Sequence, residues 1–264
     1  MSRPSAIVNV MTGAARKASR RLMRDFGEVE QLQVSRKGPA DFVSAADLRT
    51  EKILRETLQR ARPDYGFLME ESGPSGGDSE NRWIVDPLDG TTNFLHGIPY
   101  FAISIALERR KEIVAGVVYE PVRDEMFWAE KGIGAYVNDR RLRVSARERL
   151  GDAVVATGIP HRGRMAPDAY LPMLGAVMPE VAGIRRAGAA SLDLAYVAAG
   201  RYDGFWEQGL SPWDIAAGIV LVREAGGMVT EISGKSGMLA SGSILATNER
   251  LHTALGKTLR HTKA

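Results

Sequence analysis

Acidic residues that could bind a metal ion stand directly after an apolar segment. Asp86 and Asp89 follow the apolar residues 83–85, and Gly90 comes next. Two carboxylates at the end of one strand repel each other, and a divalent cation would offset that repulsion. Because all the candidate ligands are oxygens, the pattern favours a hard ion such as Mg²⁺. Taken alone, the D-x-x-D-G pattern also fits a polar turn, which is the more common case.

Further acids in comparable settings favour a shared site over a set of isolated turns. Glu70 ends the apolar residues 67–69 and precedes a glycine-rich stretch. Asp214 lies in the first turn of an apolar helix, where the helix dipole alone would favour an acid. Asp41 and Asp47 flank a short apolar segment. Each acid has an ordinary structural explanation, but their joint occurrence near strand and helix ends supports one oxygen-rich metal site.

The helices that must position these acids are indicated by hydrophobic spacing. Apolar residues recur at three- and four-residue steps from Ile7 to Val29, which predicts a long amphipathic helix. The first 24 residues hold six Arg and Lys and no acid, a composition that is also typical of a transit peptide. The apolar face continues past Asp25, which favours the helix instead. A second helix is predicted over about 44–61, with Leu48 among its inward residues.

The strands follow from short apolar runs and from breaker residues. The sequence first predicts a series of strands, at 65–70, 82–86, 100–107, 113–119 and 125–129. Pro87 is expected to end the strand over 82–86, and residues 73–77 are expected to form a flexible loop. Later strands are predicted at 154–157, near 184, and at 203–207, 228–232 and 243–246, with helices between them. An antiparallel meander followed by alternating strands and helices suggests a layered α+β and α/β sandwich.

The composition limits the class of protein. With 264 residues, of which 44% are hydrophobic, the chain can bury a sizeable core. A formal net charge of +3 is too near zero to be the electrostatic footprint of a nucleic-acid-binding protein. The absence of Cys excludes disulfides, thiol catalysis and Cys-ligated zinc, and it fits a reducing compartment. No apolar run is long enough to span a membrane, so we expect a cytoplasmic protein with no membrane partner.

Three motifs together resemble the inositol monophosphatase family, in its bacterial branch. They are Glu70-Glu71, the run Asp86-Pro-Leu-Asp-Gly-Thr-Thr-Asn-Phe94, and the run Pro212-Trp-Asp-Ile-Ala-Ala-Gly218 with Glu224-Ala-Gly-Gly227. The resemblance extends over about residues 7–259. It implies the layered α-β-α-β-α sandwich of the sugar phosphatases, which include fructose-1,6-bisphosphatase. It also implies a single catalytic domain over 1–264, with an N-terminal lobe of about 1–150 and a C-terminal lobe of about 151–264, and a homodimer.

The same resemblance implies a metal site and a catalytic set. Two or three Mg²⁺ ions would be held by Glu70, Asp86, the backbone carbonyl of Leu88, Asp89 and Asp214. The catalytic residues would be Thr91, Asp47 and Glu70, with the Thr91 hydroxyl and Asp47 orienting the attacking water. Thr91 as a covalent nucleophile is disfavoured, because water is the attacking group in this family. Lithium sensitivity is a further family expectation.

Substrate contacts are also implied by the resemblance. Phosphate would rest on the backbone N–H groups of Gly90 and Thr91. The rest of the substrate would lie against Asp89, Arg185, Gly188, Ala189, Ala190 and Glu207. A surface acid at a strand end is the alternative for Glu207, and a surface or subunit-interface cation is the alternative for Arg185. Lys37 resembles the lysine of a mobile loop that closes on the site.

The expected activity is Mg²⁺-dependent hydrolysis of myo-inositol 1-phosphate and related small phosphate monoesters. The partner would then be a small phosphorylated polyol. Other substrates stay open, namely histidinol phosphate, fructose 1,6-bisphosphate or a nucleotide phosphate. A binding role with the transcription machinery also stays open, with the basic first helix and the pair Arg185-Arg186 as contact surfaces.

Overall fold

The computed structural model describes residues 4–28, 34–36, 42–76, 80–160 and 167–261. Its helices are α1 (Ala6–Phe26), α2 (Ala45–Ala61), α3 (Thr91–Leu95), α4 (Pro167–Val177), α5 (Ala190–Ala198), α6 (Pro212–Glu224), α7 (Met238–Ser241) and α8 (Glu249–Arg260). Among these described helices, none combines the length and hydropathy needed to cross a bilayer. The predicted residues Lys37 and Asp41 lie outside the described residues.

Fifteen strands are described. They are β1 (Val34–Arg36), β2 (Phe42–Ser44), β3 (Gly66–Met69), β4 (Gly73–Ser75), β5 (Asn81–Asp89), β6 (Ala102–Arg109), β7 (Glu112–Glu120), β8 (Glu125–Glu130), β9 (Gly134–Val137), β10 (Arg140–Arg141), β11 (Val154–Thr157), β12 (Gly183–Arg185), β13 (Gly204–Glu207), β14 (Gly227–Thr230) and β15 (Ile244–Asn248). β1 and β2 form a separate antiparallel pair.

The larger sheet has eight strands, in the order β10-β9-β8-β7-β6-β5-β3-β4. Its neighbours are antiparallel except β3 and β5, which run parallel, so their carboxyl ends lie side by side. α1 and α2 pack on one face of this sheet. The apolar face predicted for α1 is confirmed, because its members Met11, Ala14, Ala18 and Leu22 are fully buried in that layer, and Val29 lies outside the described residues.

The smaller sheet has five strands, in the order β12-β11-β13-β15-β14. β12, β11 and β13 are parallel, and the pairs that involve β15 are antiparallel. α4 and α8 cover its outer face, and α5 and α6 lie between the two sheets. The five layers therefore alternate α, β, α, β and α, as the family resemblance implies.

Three local predictions were wrong. Leu48 is 54% exposed, because the buried stripe of α2 passes through Ala46, Leu54 and Leu58 instead. Residues Gly73–Ser75 form β4, which pairs with β3, where a flexible loop was expected. The strand before the paired acids does not end at Asp86, since β5 continues through Pro87 to Asp89. A proline is tolerated there because the pairing with β6 is irregular at that point.

Candidate active site

A bulge at the end of β5 brings Asp86 and Asp89 to the same face of the sheet. Asp86 lies opposite Ser104 on β6, and Asp89 lies opposite Ala102, so β5 has one more residue than β6 between the pairs. Residues three apart in a regular strand face opposite sides. The extra residue reverses this alternation, because Ser104 and Ala102 share one face. Asp86 and Asp89 are both buried, and the Leu88 N–H donates to Asp86 Oδ1 over 2.9 Å.

Glu70 meets Asp86 because β3 and β5 end at the same edge of the sheet. The Glu70 N–H donates to the Val85 carbonyl over 3.2 Å, and the side chains of Glu70 and Asp86 share a hydrogen bond. Burial, together with the nearby charges of Asp214 and Asp47, raises the pKa of Glu70 from 4.5 to about 8. The pKa of Asp86 is raised by burial and by the charge of Glu70. Such a cluster attracts a cation.

Two acids are fixed by hydrogen bonds at helix starts. The Ser211 N–H donates to Asp214 Oδ2 over 2.7 Å, which holds Asp214 in the first turn of α6. The predicted start of that helix at Ser211 and Pro212 is confirmed. Asp89 Oδ2 accepts from both the backbone N–H and the hydroxyl of Ser191, over 2.7 and 2.6 Å. Each carboxylate is thereby oriented by backbone that belongs to the layer between the sheets.

Thr91 and Asp47 lie beside the same cluster. The Thr91 hydroxyl donates to the carbonyl of Leu88 over 2.9 Å. Asp47 is buried in the first turn of α2, and its charge contributes to the raised pKa of Glu70. α2 is also tied to the end of β3, since the Glu71 N–H donates to Glu51 Oε2 over 2.9 Å. A direct pairing of Thr91 with Asp47 stays a prediction.

A cleft of about 260 Å³ opens over these residues, with walls from both sheets and from α5 and α6. Apart from Asp47 and Arg185, it is lined by all the sequence-predicted site residues within the described ranges, which are Glu70, Asp86, Leu88, Asp89, Gly90, Thr91, Gly188, Ala189, Ala190, Glu207 and Asp214. Residues more than a hundred positions apart in the sequence therefore share one cavity.

The far wall of the cleft contains Glu207 and Arg186. Glu207 packs so closely on Gly158 that a Cβ there would lie 1.9 Å from Glu207 Cδ. The basic residue lining the wall is Arg186, whereas the exposed Arg185 donates to the Ile184 carbonyl over 3.0 Å. Arg185 ends β12, and successive side chains of an extended chain point to opposite sides. That alternation explains why the neighbouring residue takes the place expected for Arg185.

Sequence reasoning missed Ser191, Asp193 and Tyr100. Asp193 also lines the cleft, and the Tyr100 hydroxyl donates to Asp193 Oδ1 over 2.8 Å. Burial raises the pKa of Asp193 to about 8, against the opposing effect of the Tyr100 hydrogen bond. Ser191 and Asp193 lie in the first turn of α5, where such residues ordinarily cap a helix. That position is the only local signal for them, and it does not distinguish a cap from a site residue.

A profile of the inositol monophosphatase family matches residues 4–264. The chain belongs to the inositol monophosphatase family. Membership places it among the phosphoric monoester hydrolases, and the resemblance found in the motifs is confirmed. It is 60% identical to the inositol-1-monophosphatase of Mesorhizobium japonicum, over 97% of each chain.

Two further relatives carry a different name. This family member is 45% identical to the Nus factor SuhB of Pseudomonas aeruginosa, over 96% of each chain. The crystal structure of the extragenic suppressor protein suhB from Bartonella henselae superposes with a TM-score of 0.95 at 59% identity. That superposition covers 98% of this chain and 100% of the other. The fold is thus shared over essentially the whole chain.

The acids of this inositol monophosphatase family member suit a hard divalent cation. Glu70, Asp86, Asp89 and Asp214 offer only oxygen atoms, and the raised pKa values of Glu70 and Asp86 reflect burial together with mutual repulsion. Within the described part of the chain, no three Asp, Glu or His side chains already form a closed ligand set around one point. The donor chemistry therefore fits a metal ion that would draw the carboxylates of one cleft together.

Proposed function

We propose that the protein is a Mg²⁺-dependent phosphatase that converts myo-inositol 1-phosphate and related small monoesters to alcohol and inorganic phosphate. One observation carries the proposal. A single cleft is lined by a cluster of buried carboxylates, by Gly90 and Thr91 directly after β5 of the larger sheet, and by Glu207 of the smaller sheet. This arrangement suits a substrate that has a phosphate at one end and hydroxyl groups at the other.

The carboxylates would hold two or three Mg²⁺ ions. The ligands would be Glu70, Asp86, the Leu88 carbonyl, Asp89 and Asp214. Bound Mg²⁺ would activate a water molecule and stabilise the charge that develops on the leaving alkoxide. The backbone N–H groups of Gly90 and Thr91 would bind the phosphate oxygens, and the Thr91 hydroxyl with Asp47 would orient the attacking water. The side chains act through position and charge, so no covalent intermediate with the protein is needed.

The substrate alcohol would lie against the far wall of the cleft. Glu207 would accept a hydrogen bond from a polyol hydroxyl, and residues 188–190 also line the cleft. We assign the basic residue of this wall to Arg186 rather than to Arg185, because Arg186 lines the cleft. A loop containing Lys37 closing on the site stays part of the proposal.

Phosphate release from a panel of monoesters tests the activity. The panel contains myo-inositol 1-phosphate, histidinol phosphate, fructose 1,6-bisphosphate and a nucleoside monophosphate, each assayed over a Mg²⁺ titration and with EDTA. We expect the highest kcat/KM for myo-inositol 1-phosphate and no turnover in EDTA. A preference for histidinol phosphate would replace the substrate, and turnover that is independent of divalent cations would overturn the metal assignment.

A second role is supported by the relative named Nus factor SuhB, at 45% identity. We propose that the protein also associates with the transcription machinery, as a cytoplasmic homodimer. The basic residues of α1 offer a contact surface, because Arg16, Lys17, Arg20, Arg21 and Arg24 are all exposed. Complementation of a deletion strain by the hydrolysis-deficient variant Asp89→Asn separates the two roles. Growth equal to that with the wild type would support a binding role, and growth equal to that of the deletion strain would oppose it.

A further inference from the structure

Asn93 connects three segments that surround the cleft. It lies in α3, directly after the Gly90–Thr91 turn, and its side chain is 6% exposed. Its amide nitrogen Nδ2 donates to the Tyr100 carbonyl over 2.8 Å and to the Ala187 carbonyl over 2.9 Å. Tyr100 precedes β6 of the larger sheet, whereas Ala187 follows β12 of the smaller one. One side-chain amide thus joins the two sheets beside the site.

The segments joined by Asn93 approach one another so closely that there is little room for a side chain at Gly90 or Gly188. A Cβ added to Gly90 would lie 3.3 Å from Ala189 Cβ and 3.0 Å from the Tyr100 carbonyl oxygen. A Cβ added to Gly188 would lie 3.3 Å from Asn93 Nδ2. Gly90, Gly188 and Ala189 all line the cleft. The hydrogen bonds of Asn93 therefore cross the seam where the phosphate-binding turn meets the polyol-binding wall.

We propose that Asn93 is a positioning residue that sets the distance between the phosphate-binding turn and the wall formed by residues 188–190. The inference rests on the proposed phosphatase function. Only an amide suits the place, since both bonds run from one nitrogen to carbonyl oxygens. A carboxylate of the same shape offers no donor at neutral pH, so it would face two acceptors. The substrate spans both sides of the seam, so a shift there changes how its two ends are held at once.

The test compares Asn93→Asp with Asn93→Ala, and both with Asn248→Asp. Asn248 is the matched control, because it is 3% exposed and its Nδ2 donates to the carbonyls of Ser145 and Arg147 over 3.0 and 2.9 Å. It does not line the cleft. The measurements are Tm, the Mg²⁺ concentration for half-maximal rate, and KM for myo-inositol 1-phosphate. 4-Nitrophenyl phosphate serves as a second substrate, because it carries no hydroxyl for the far wall.

We expect both Asn93 variants to raise KM for myo-inositol 1-phosphate roughly tenfold or more, since sub-ångström misplacement weakens a two-ended contact. KM for 4-nitrophenyl phosphate and the Mg²⁺ requirement should change by less than about twofold, and Asn248→Asp should lower Tm without changing KM. The proposal is overturned if KM rises equally for both substrates or if only Asn93→Asp changes KM for myo-inositol 1-phosphate. It is also overturned if both variants lower Tm and leave KM unchanged. Failure of the wild type to hydrolyse either ester would instead overturn the proposed function.

Discussion

Asp89 accepts two hydrogen bonds from Ser191, although the two residues are 102 positions apart in the sequence. Both bonds end on Oδ2, one from the backbone N–H and one from the hydroxyl. Ser191 lies in the first turn of α5, between the two sheets. A carboxylate of the larger sheet therefore caps a helix of the central layer, and its orientation depends on the packing of both.

Ser191→Ala should weaken metal binding without unfolding the protein. The variant removes the hydroxyl donor and keeps the backbone donor, so Asp89 loses part of its orientation. Loss of a group that orients a ligand typically costs about 10–100-fold in metal affinity or activity, and we expect the Mg²⁺ requirement to rise roughly tenfold. A Mg²⁺ titration of the rate measures this. Ser19→Ala removes a comparably buried hydroxyl in α1 and should leave the requirement unchanged. Equal Mg²⁺ curves for both variants would contradict the interpretation.

Asp89→Asn should lower kcat by more than about a hundredfold, because a ligand is lost rather than a group that orients one. The fold should persist, since an amide oxygen can still accept from Ser191 and like-charge repulsion at Asp86 is relieved. Phosphate release and thermal unfolding measure the two effects. Asp152→Asn, at an exposed residue paired with Arg149, is the control that should keep full activity. Near wild-type turnover of Asp89→Asn at saturating Mg²⁺ would refute the ligand assignment.

Gly158→Ala should disturb the polyol side of the cleft alone. The added methyl group would overlap the carboxyl group of Glu207, whose Oε1 would lie 2.0 Å from it, so Glu207 must move. We expect KM for myo-inositol 1-phosphate to rise roughly tenfold or more, with an unchanged Mg²⁺ requirement. Gly151→Ala is the matched control, because nothing lies within 4 Å of its added Cβ. If the two alanine variants gave the same KM, Glu207 would not be a substrate contact.

The raised pKa of Glu70 predicts a pH-dependent stability of the metal-free protein. Its value moves from 4.5 in the free residue to about 8, so the folded protein holds this proton more tightly than the unfolded chain does. The stability that this proton contributes is fully present below pH 4.5 and is lost as the pH rises towards about 8. In EDTA, Tm should therefore fall across this interval, and Mg²⁺ should raise Tm more at its upper end, where it no longer competes with the proton.

Two variants identify the group responsible for this pH dependence. Glu70→Gln should reduce both the fall of Tm with rising pH in EDTA and the increase of Tm that Mg²⁺ produces. Asp193 has a similarly raised pKa of about 8, so Asp193→Asn should also reduce the decline but should keep the gain from Mg²⁺. If Mg²⁺ raised Tm equally at both ends of the pH interval, the interpretation that these carboxylates exchange a proton for a metal ion would be wrong.

Lithium should inhibit the enzyme in the millimolar range, as the family resemblance implies. A small monovalent cation that takes the place of one Mg²⁺ keeps part of the charge compensation but supplies a weaker field. Initial rates in LiCl are compared with rates in KCl at the same ionic strength. Equal rates in the two salts would weaken the expectation of lithium sensitivity and would leave the magnesium assignment intact.

The main helices of the fold could be predicted from local periodicity, whereas the order of its five layers was implied by the family resemblance. The apolar face of α1 and the start of α6 at Ser211 and Pro212 both follow from side-chain spacing and capping chemistry. The strand that carries the paired acids was judged too short, since Pro87 has no ladder donor and a bulge cannot be recognised without its partner strand. The spacing predicts an inward Leu48 because the helix has more apolar residues than its buried stripe needs.

The site was predictable where a motif contains the residue, and less so where it depends on contacts between distant segments. Asp86, Asp89 and Asp214 stand in distinctive local patterns, and all three line the cleft. The bonds from Ser191 to Asp89 and from Asn93 to Ala187 join residues about a hundred positions apart, and no local pattern indicates such partners, even though Asn93 itself lies in the motif. The place expected for Arg185 is taken by its neighbour, because the direction of a side chain after a strand depends on register.

The bulge in β5 means that the shared face of Asp86 and Asp89 depends on an irregular backbone as well as on residue type. If the same residues of β5 paired with β6 without the bulge, Asp89 would lie three regular positions after Asp86 and would turn towards the opposite side of the sheet. A homologue or a designed scaffold could thus carry all the correct side chains and still lack the catalytic centre, so transplanting it requires copying the irregular backbone first.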